Sequence, residues 1–178
     1  MRTILIKAAF LFLLLSCAAP VQAGALPRVA VFDFELIDTS LDGSIYGTTD
    51  AEKARLQRLG EQLRKALADS GRYEVADIAP VQESARSSNL QACGGCDADF
   101  AKKIGAGFAI TGTVQKVSNL ILNISLYVRD VASGDVIRTM SADMRGNTDE
   151  SWSRALNWLV KNRLLTSNFE QTSDKPAQ

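Results

Sequence analysis

The chain contains no histidine. That absence excludes every histidine-based acid/base pair, catalytic triad or zinc centre the chain could assemble alone. Surplus charge is missing too: 20 Lys and Arg balance 20 Asp and Glu over 178 residues. An electrostatic nucleic-acid binder needs a basic excess, so that class is excluded. Long apolar runs are absent except near the start, and cysteines number only three. The length suits one domain with a full core.

The single apolar run has the form of a secretory leader. Arg2 and Lys7 precede residues 8–19, which are apolar apart from Ser16, and Pro20 and the small residues Val21 and Ala23 follow. This three-part pattern predicts a signal peptide over residues 1–23, cleaved after Ala23 and directing the chain to the periplasm. The run is too short for a transmembrane helix of about 20 apolar residues. An alternative lies within it: Leu14-Leu15-Ser16-Cys17 resembles a lipobox, and acylation at Cys17 would anchor the protein to a membrane. Removing 23 residues leaves 155, with 18 basic and 20 acidic side chains, a net charge of −2 and two cysteines, Cys93 and Cys96.

Beyond the leader, residues 28–34 (RVAVFDF) read as a strand and 36–48 as a polar loop. Thr49 and Glu52 have capping-box spacing ahead of a helix whose apolar stripe is Leu56, Leu59, Leu63, Ala66 and Leu67. Arg55, Arg58, Arg64 and Lys65 fill the rest of that helix and read as its solvated face, with anion binding as the rival. Residues 73–78 alternate as a second strand. Short helices are expected at 81–88 and 97–104, and a third strand at 108–117. Residues 119–131 form the clearest strand, with Leu120, Leu122, Ile124, Leu126 and Val128 on the core face. The turn 132–135 leads into a fifth strand, 136–144. Asn147 and Glu150 have the spacing of an N-cap and its partner ahead of a helix over 148–165. The expected fold is one α/β (α+β) domain over residues 24–165, a mixed five-stranded sheet covered by helices in the order β-α-β-α-α-β-β-β-α. Residues 166–178 read as a disordered polar tail.

Several stretches together resemble a known group of domains. Residues 29–34 (VAVFDF), the helix end at 70–75 (SGRYEV), the step at 104–114 (IGAGFAITGTV) and the hairpin at 128–136 (VRDVASGDV) are similar to the N-terminal domains of TolB. The curli-secretion lipoprotein and the outer-membrane activators of penicillin-binding proteins have related domains. Residues 119–124 (NLILNI) and 145–154 (RGNTDESWSR) narrow the likeness to a proteobacterial family of uncharacterised secreted single-domain proteins. The resemblance implies a domain that binds an envelope protein and does not catalyse. For the narrower family it implies an accessory role beside periplasmic quinoprotein alcohol-oxidation systems.

Chemistry is sparse. Cys93-Gly94-Gly95-Cys96 is a CxxC ahead of a helix. In an oxidising compartment it reads as a structural disulfide. The alternatives are a thiol–disulfide oxidoreductase pair and, with too few ligands, a metal site. No proline follows Cys96 until Pro176, so the proline that faces such a pair in thioredoxin-like enzymes is missing. Asp33, between Phe32 and Phe34, is either a strand-end acid or a buried carboxylate with a shifted pKa. Asp38, Asp42 and Asp50 lack the spacing of a calcium loop. Arg145, Asn147, Trp152 and Arg154 are the candidate interface residues, because Trp and Arg anchor many interfaces; the rival is an N-cap loop and a core tryptophan. No cofactor is expected. Small-ligand binding near 36–48, at the C-terminal ends of the parallel strands, is a further alternative without a phosphate-binding fingerprint.

Overall fold

Alternation in residues 28–31 puts Val29 and Val31 on one side of a strand and Ala30 on the other, and all three are fully buried. A strand buried on both faces must lie between two layers. The computed structural model describes residues 25–166 and Phe169, and the leader with its Cys17 alternative lies outside the described residues. Its strands are β1 (Arg28–Val31), β2 (Glu35–Asp38), β3 (Glu74–Val75), β4 (Phe108–Lys116), β5 (Leu122–Asp130) and β6 (Val136–Met144). Its helices are α1 (Leu41–Tyr46), α2 (Asp50–Asp69), α3 (Gln82–Ser87), α4 (Cys96–Lys103) and α5 (Asp149–Asn162), with a 3-10 turn at Leu164–Thr166.

The sheet order is β3-β1-β4-β5-β6, with β2 also on β4. β1, β2 and β3 join by parallel pairing and β5 and β6 by antiparallel pairing. The mixed sheet is therefore the one expected, in five lateral positions but six segments. β1 and β2 run end to end along the same side of β4. Val31 pairs with Ile110 and Glu35 with Thr113, so the first strand carries one extra residue between them, a bulge. The bulge turns the Phe34 ring onto Gly112, where a Cβ would overlap it. Only glycine fits that point of β4.

This corrects the reading of residues 36–48 as loop. The strand resumes as β2 after the bulge, and Ser40 then caps α1 by accepting from the Gly43 amide at 3.0 Å. Gly43 is required there, since a Cβ would collide with the Asp38 carboxylate.

One sheet face carries the main core. Leu59, Leu63 and Leu67 of α2 and Trp152, Leu156 and Leu159 of α5 pack on Val29, Val31, Ile110, Ile124 and Leu126. On the other face Ala85 of α3 and Phe100 and Ala101 of α4 cover Ala30, Phe32 and Ala109. Two boundaries differ from expectation. Leu120 is 73% exposed, not in the core, because β5 begins only at Leu122. Thr166 closes the 3-10 turn, and Phe169, expected in the polar tail, is fully buried. Its ring stacks on Tyr73 at 4.4 Å and meets Phe108 edge-on at 5.3 Å.

Candidate functional site

The inward positions of β4 run Ile110, Gly112, Val114 and then Lys116, so the core face ends on a cation. Lys116 is 2% exposed. A buried ammonium is stable only when paired and fully hydrogen-bonded. Its partners come from two neighbouring elements. Asp38, opposite Lys116 in the β2–β4 register, accepts at 3.0 Å, and Glu52, at the head of the α2 stripe, accepts at 2.7 Å. The other Glu52 oxygen closes the capping box, accepting from the Thr49 amide at 2.8 Å and its hydroxyl at 2.9 Å. The capping box expected from the sequence is present, and the same carboxylate anchors the buried cation.

Asn147 completes the shell. Its Nδ2 donates to Glu52 Oε1 at 2.8 Å and to Asn119 Oδ1 at 3.1 Å. Its Oδ1 accepts from Arg55 Nη1 at 3.0 Å. Asn147 is therefore not the cap of α5. Thr148 is, accepting from the Ser151 amide at 3.2 Å. The network reaches the surface at Asp149, which binds Arg55 at 2.7 Å and Arg58 at 2.8 Å. Asn119 extends it to Asp42 of α1 at 2.8 Å. Two of the four basic residues assigned to a solvated face, Arg55 and Arg58, thus tie α2 to the start of α5. A third, Arg64, turns to Asp33, which it shares with Arg86.

Burial alone would raise the Glu52 pKa, but the bonds from Lys116, Thr49 and Asn147 outweigh it and bring it from 4.5 to about 2. Asp38 is lowered as well: burial opposes, and Ser40 and Lys116 prevail. Lys116 is raised, because its two carboxylates outweigh the cost of burying it. Carboxylates whose folded pKa is depressed give stability that is complete above their unfolded value and lost as pH falls through the folded one. Stability is therefore expected to fall from about pH 4.5 toward pH 2. In Glu52→Gln the loss across that window, read by urea unfolding at each pH, should shrink by about 3 kcal/mol. An unchanged loss would show that Glu52 does not feel Lys116.

Over this network lies an apolar surface. No residue of α1 is buried, and Leu41 and Tyr46 are 74% and 78% exposed. Ile45 is exposed beside them, and Val117, Leu120 and Ile121 of the β4–β5 turn are exposed as well; Tyr46 and Leu120 line one cleft between the two elements. Exposed large apolar side chains gathered on two adjoining elements are the kind of surface that marks a protein-interaction site. The polar network holds both walls of the cleft in register, through Asp38 and Asp42 on one side and Asn119 on the other.

The other sequence-derived candidates lie elsewhere. Cys93 and Cys96 are joined in a disulfide at the start of α4. Cys93 is exposed and Cys96 packs against the second core. The adjacent acid, Asp97, is buried and held by Arg129 at 2.9 Å. Trp152 is 1% exposed and belongs to the main core, the core-tryptophan reading of the sequence and not the interface one; Arg55 stacks over its ring at 5.7 Å. Arg145 and Arg154 are exposed, and Arg154 pairs with Glu150. The four candidates therefore do not form one surface. Among the described residues no three His, Cys, Asp or Glu could hold a metal ion together. No helix among them is long and apolar enough to cross a membrane.

The sequence reading missed Asp38, Lys116, Leu41, Ile45, Tyr46 and Ile121. Lys116 had a signal: counting by twos from Ile110 places it on the core face, where a lysine demands a carboxylate.

A mixed sheet with α2 and α5 on one face and two short helices on the other defines an α/β domain. The chain belongs to the family DUF3280, described as "Protein of unknown function (DUF2380)", which it matches over residues 27–164. No curated protein matches it. Among solved structures it is similar to the C-terminal domain of LpoB from Salmonella enterica, at 16% identity and a TM-score of 0.49, covering 69% of this chain and 87% of that one. It is also similar to lipoprotein GNA1162 from Neisseria meningitidis, at 14% identity and a TM-score of 0.47, covering 79% and 99%. With TolB from Acinetobacter baumannii the figures are 14% and 0.44, covering 79% of this chain and 29% of that one.

Proposed function

We propose that this chain is a non-enzymatic accessory domain of the bacterial envelope that binds a protein partner through the apolar end formed by α1 and the β4–β5 turn. The observation that carries the reading is the exposure of Leu41, Ile45 and Tyr46 on α1 and of Val117, Leu120 and Ile121 on the adjoining turn, with Tyr46 and Leu120 lining one cleft above a buried ion network. Such a network fixes geometry at a cost in desolvation, and a fixed platform lowers the ordering cost of binding. The leader directs the chain to the periplasm, free after cleavage or tethered through Cys17. β1 starts beside Phe108 and β4 ends at Lys116, so the apolar end lies about 26 Å along the sheet from the chain's entry. The family resemblance points to a partner within a periplasmic quinoprotein alcohol-oxidation system.

The test is retention of periplasmic protein on the immobilised chain. Leu41→Ser/Tyr46→Ser alters no buried residue, so it should keep the thermal midpoint while losing the retained partner. Undiminished retention by a folded variant would remove this surface from consideration.

A further inference from the structure

The sheet has one long open edge. β3 is two residues and β2 four, but β6 runs nine, Val136–Met144, without proline or lysine. On its far side from β5, no hydrogen bond among the described residues reaches the backbone of Thr139–Met144. Natural edges of this length are ordinarily blocked by proline, lysine or a covering element. Here α5 overhangs the edge and leaves a groove along it. Arg145 and Arg154 stand at one end with Trp158, which is half-exposed, and Arg138 and Arg163 at the other. Among the described residues Asp143 is the only carboxylate lining it, and it already accepts from Asn123 at 2.9 Å; Arg154 is paired with Glu150 on α5. Arg145 has no side-chain partner among the described residues, and Arg163 has only the Trp158 ring, at 5.8 Å.

We propose that this groove accepts an extended acidic segment of a partner protein, which adds as a seventh strand beside β6. Backbone pairing to the open edge supplies affinity, and the arginines select acidic side chains. In a mature chain of net charge −2, this local positive groove is complementary to an acidic segment. A second copy of the chain is the poorer occupant, since antiparallel pairing of two β6 edges would gather two sets of the same arginines. The proposal rests on the chain being a protein-binding domain, but not on the apolar end.

The probe is a labelled nine-residue peptide alternating Val with Glu or Asp, with a Val/Lys peptide as control, titrated into the whole mature chain. The acidic peptide should bind at concentrations below about 1 mM, weaken as salt rises, and protect alternate β6 amides between Thr139 and Met144 from hydrogen exchange. Arg145→Glu/Arg163→Glu should weaken it at least about tenfold while Leu41→Ser/Tyr46→Ser leaves it unchanged. Absence of binding, equal binding of the basic peptide, or binding without β6 protection would overturn the proposal. So would a free chain that elutes as a dimer with β6 already protected. None of these results would touch the apolar-end reading, which is tested separately by retention of the partner on the Leu41→Ser/Tyr46→Ser variant.

Discussion

Replacing Lys116 with Met is expected to cost about 3–5 kcal/mol of unfolding free energy at pH 7. The methionine fills the space and keeps the strand, so the loss is electrostatic. Glu52 and Asp38 are 1% and 10% exposed at their side chains, and without the ammonium both are buried with their charges uncompensated. Either they ionise at a desolvation cost or they take up protons, and in both cases folding is weakened. Neutralising all three, as Lys116→Met/Glu52→Gln/Asp38→Asn, should recover part of the loss, because the charges then disappear together. Urea unfolding reads both. A loss below about 1 kcal/mol would place this pair with exposed surface ion pairs and contradict the buried network.

Trp152→Ala should be nearly as damaging, at about 3–5 kcal/mol. The indole is the largest fully buried side chain in the core, packed among residues of α2, α5 and the sheet. Truncation leaves a cavity and also removes the ring under Arg55. Trp152→Phe keeps most of the packing. It also removes an Nε1–H that has no hydrogen-bond partner among the described residues, so its cost should be far smaller. Thermal melts and urea midpoints of the two variants decide the matter. A Trp152→Ala chain as stable as the parent, but deficient in binding, would return the residue to an interface.

Much of the fold is legible wherever periodicity is clean. Leu122, Ile124, Leu126 and Val128 alternate and are all buried, and the α2 stripe of Leu59, Leu63 and Leu67 forms the helix side of the same core. The bulge at 32–34 is not legible, because Phe32-Asp33-Phe34 alternates as an uninterrupted strand does. The extra residue exists only relative to the register of β4. Helix α1 is hidden for a different reason: LDGSIY contains a glycine and buries nothing, so it shows no apolar period. It forms because Ser40 caps it and Asp38 binds the Ser40 amide at 2.8 Å.

The candidate site is half visible in the sequence. Capping spacing points to Asn147, yet its amide is used by Glu52, Asn119 and Arg55, because Thr148 takes the cap one residue later. Spacing likewise marks Glu52 only as a capping partner. Counting 52, 56, 59, 63 and 67 places it on the buried stripe, as counting from Ile110 places Lys116. An acid and a base, each on a core face, needed each other. What pattern could not supply was that the two faces meet at the same end of the sheet, below a helix, α1, with no buried residue among those described.

The account stands most directly on where the partner touches. A photoreactive residue in place of Tyr46, with a second chain carrying it at Asp69 on the far end of α2, can be crosslinked in intact cells. The account predicts one discrete adduct of the Tyr46 chain with an envelope protein and none from the Asp69 chain. Adducts from Asp69 alone, or an identical set from both positions, would contradict it.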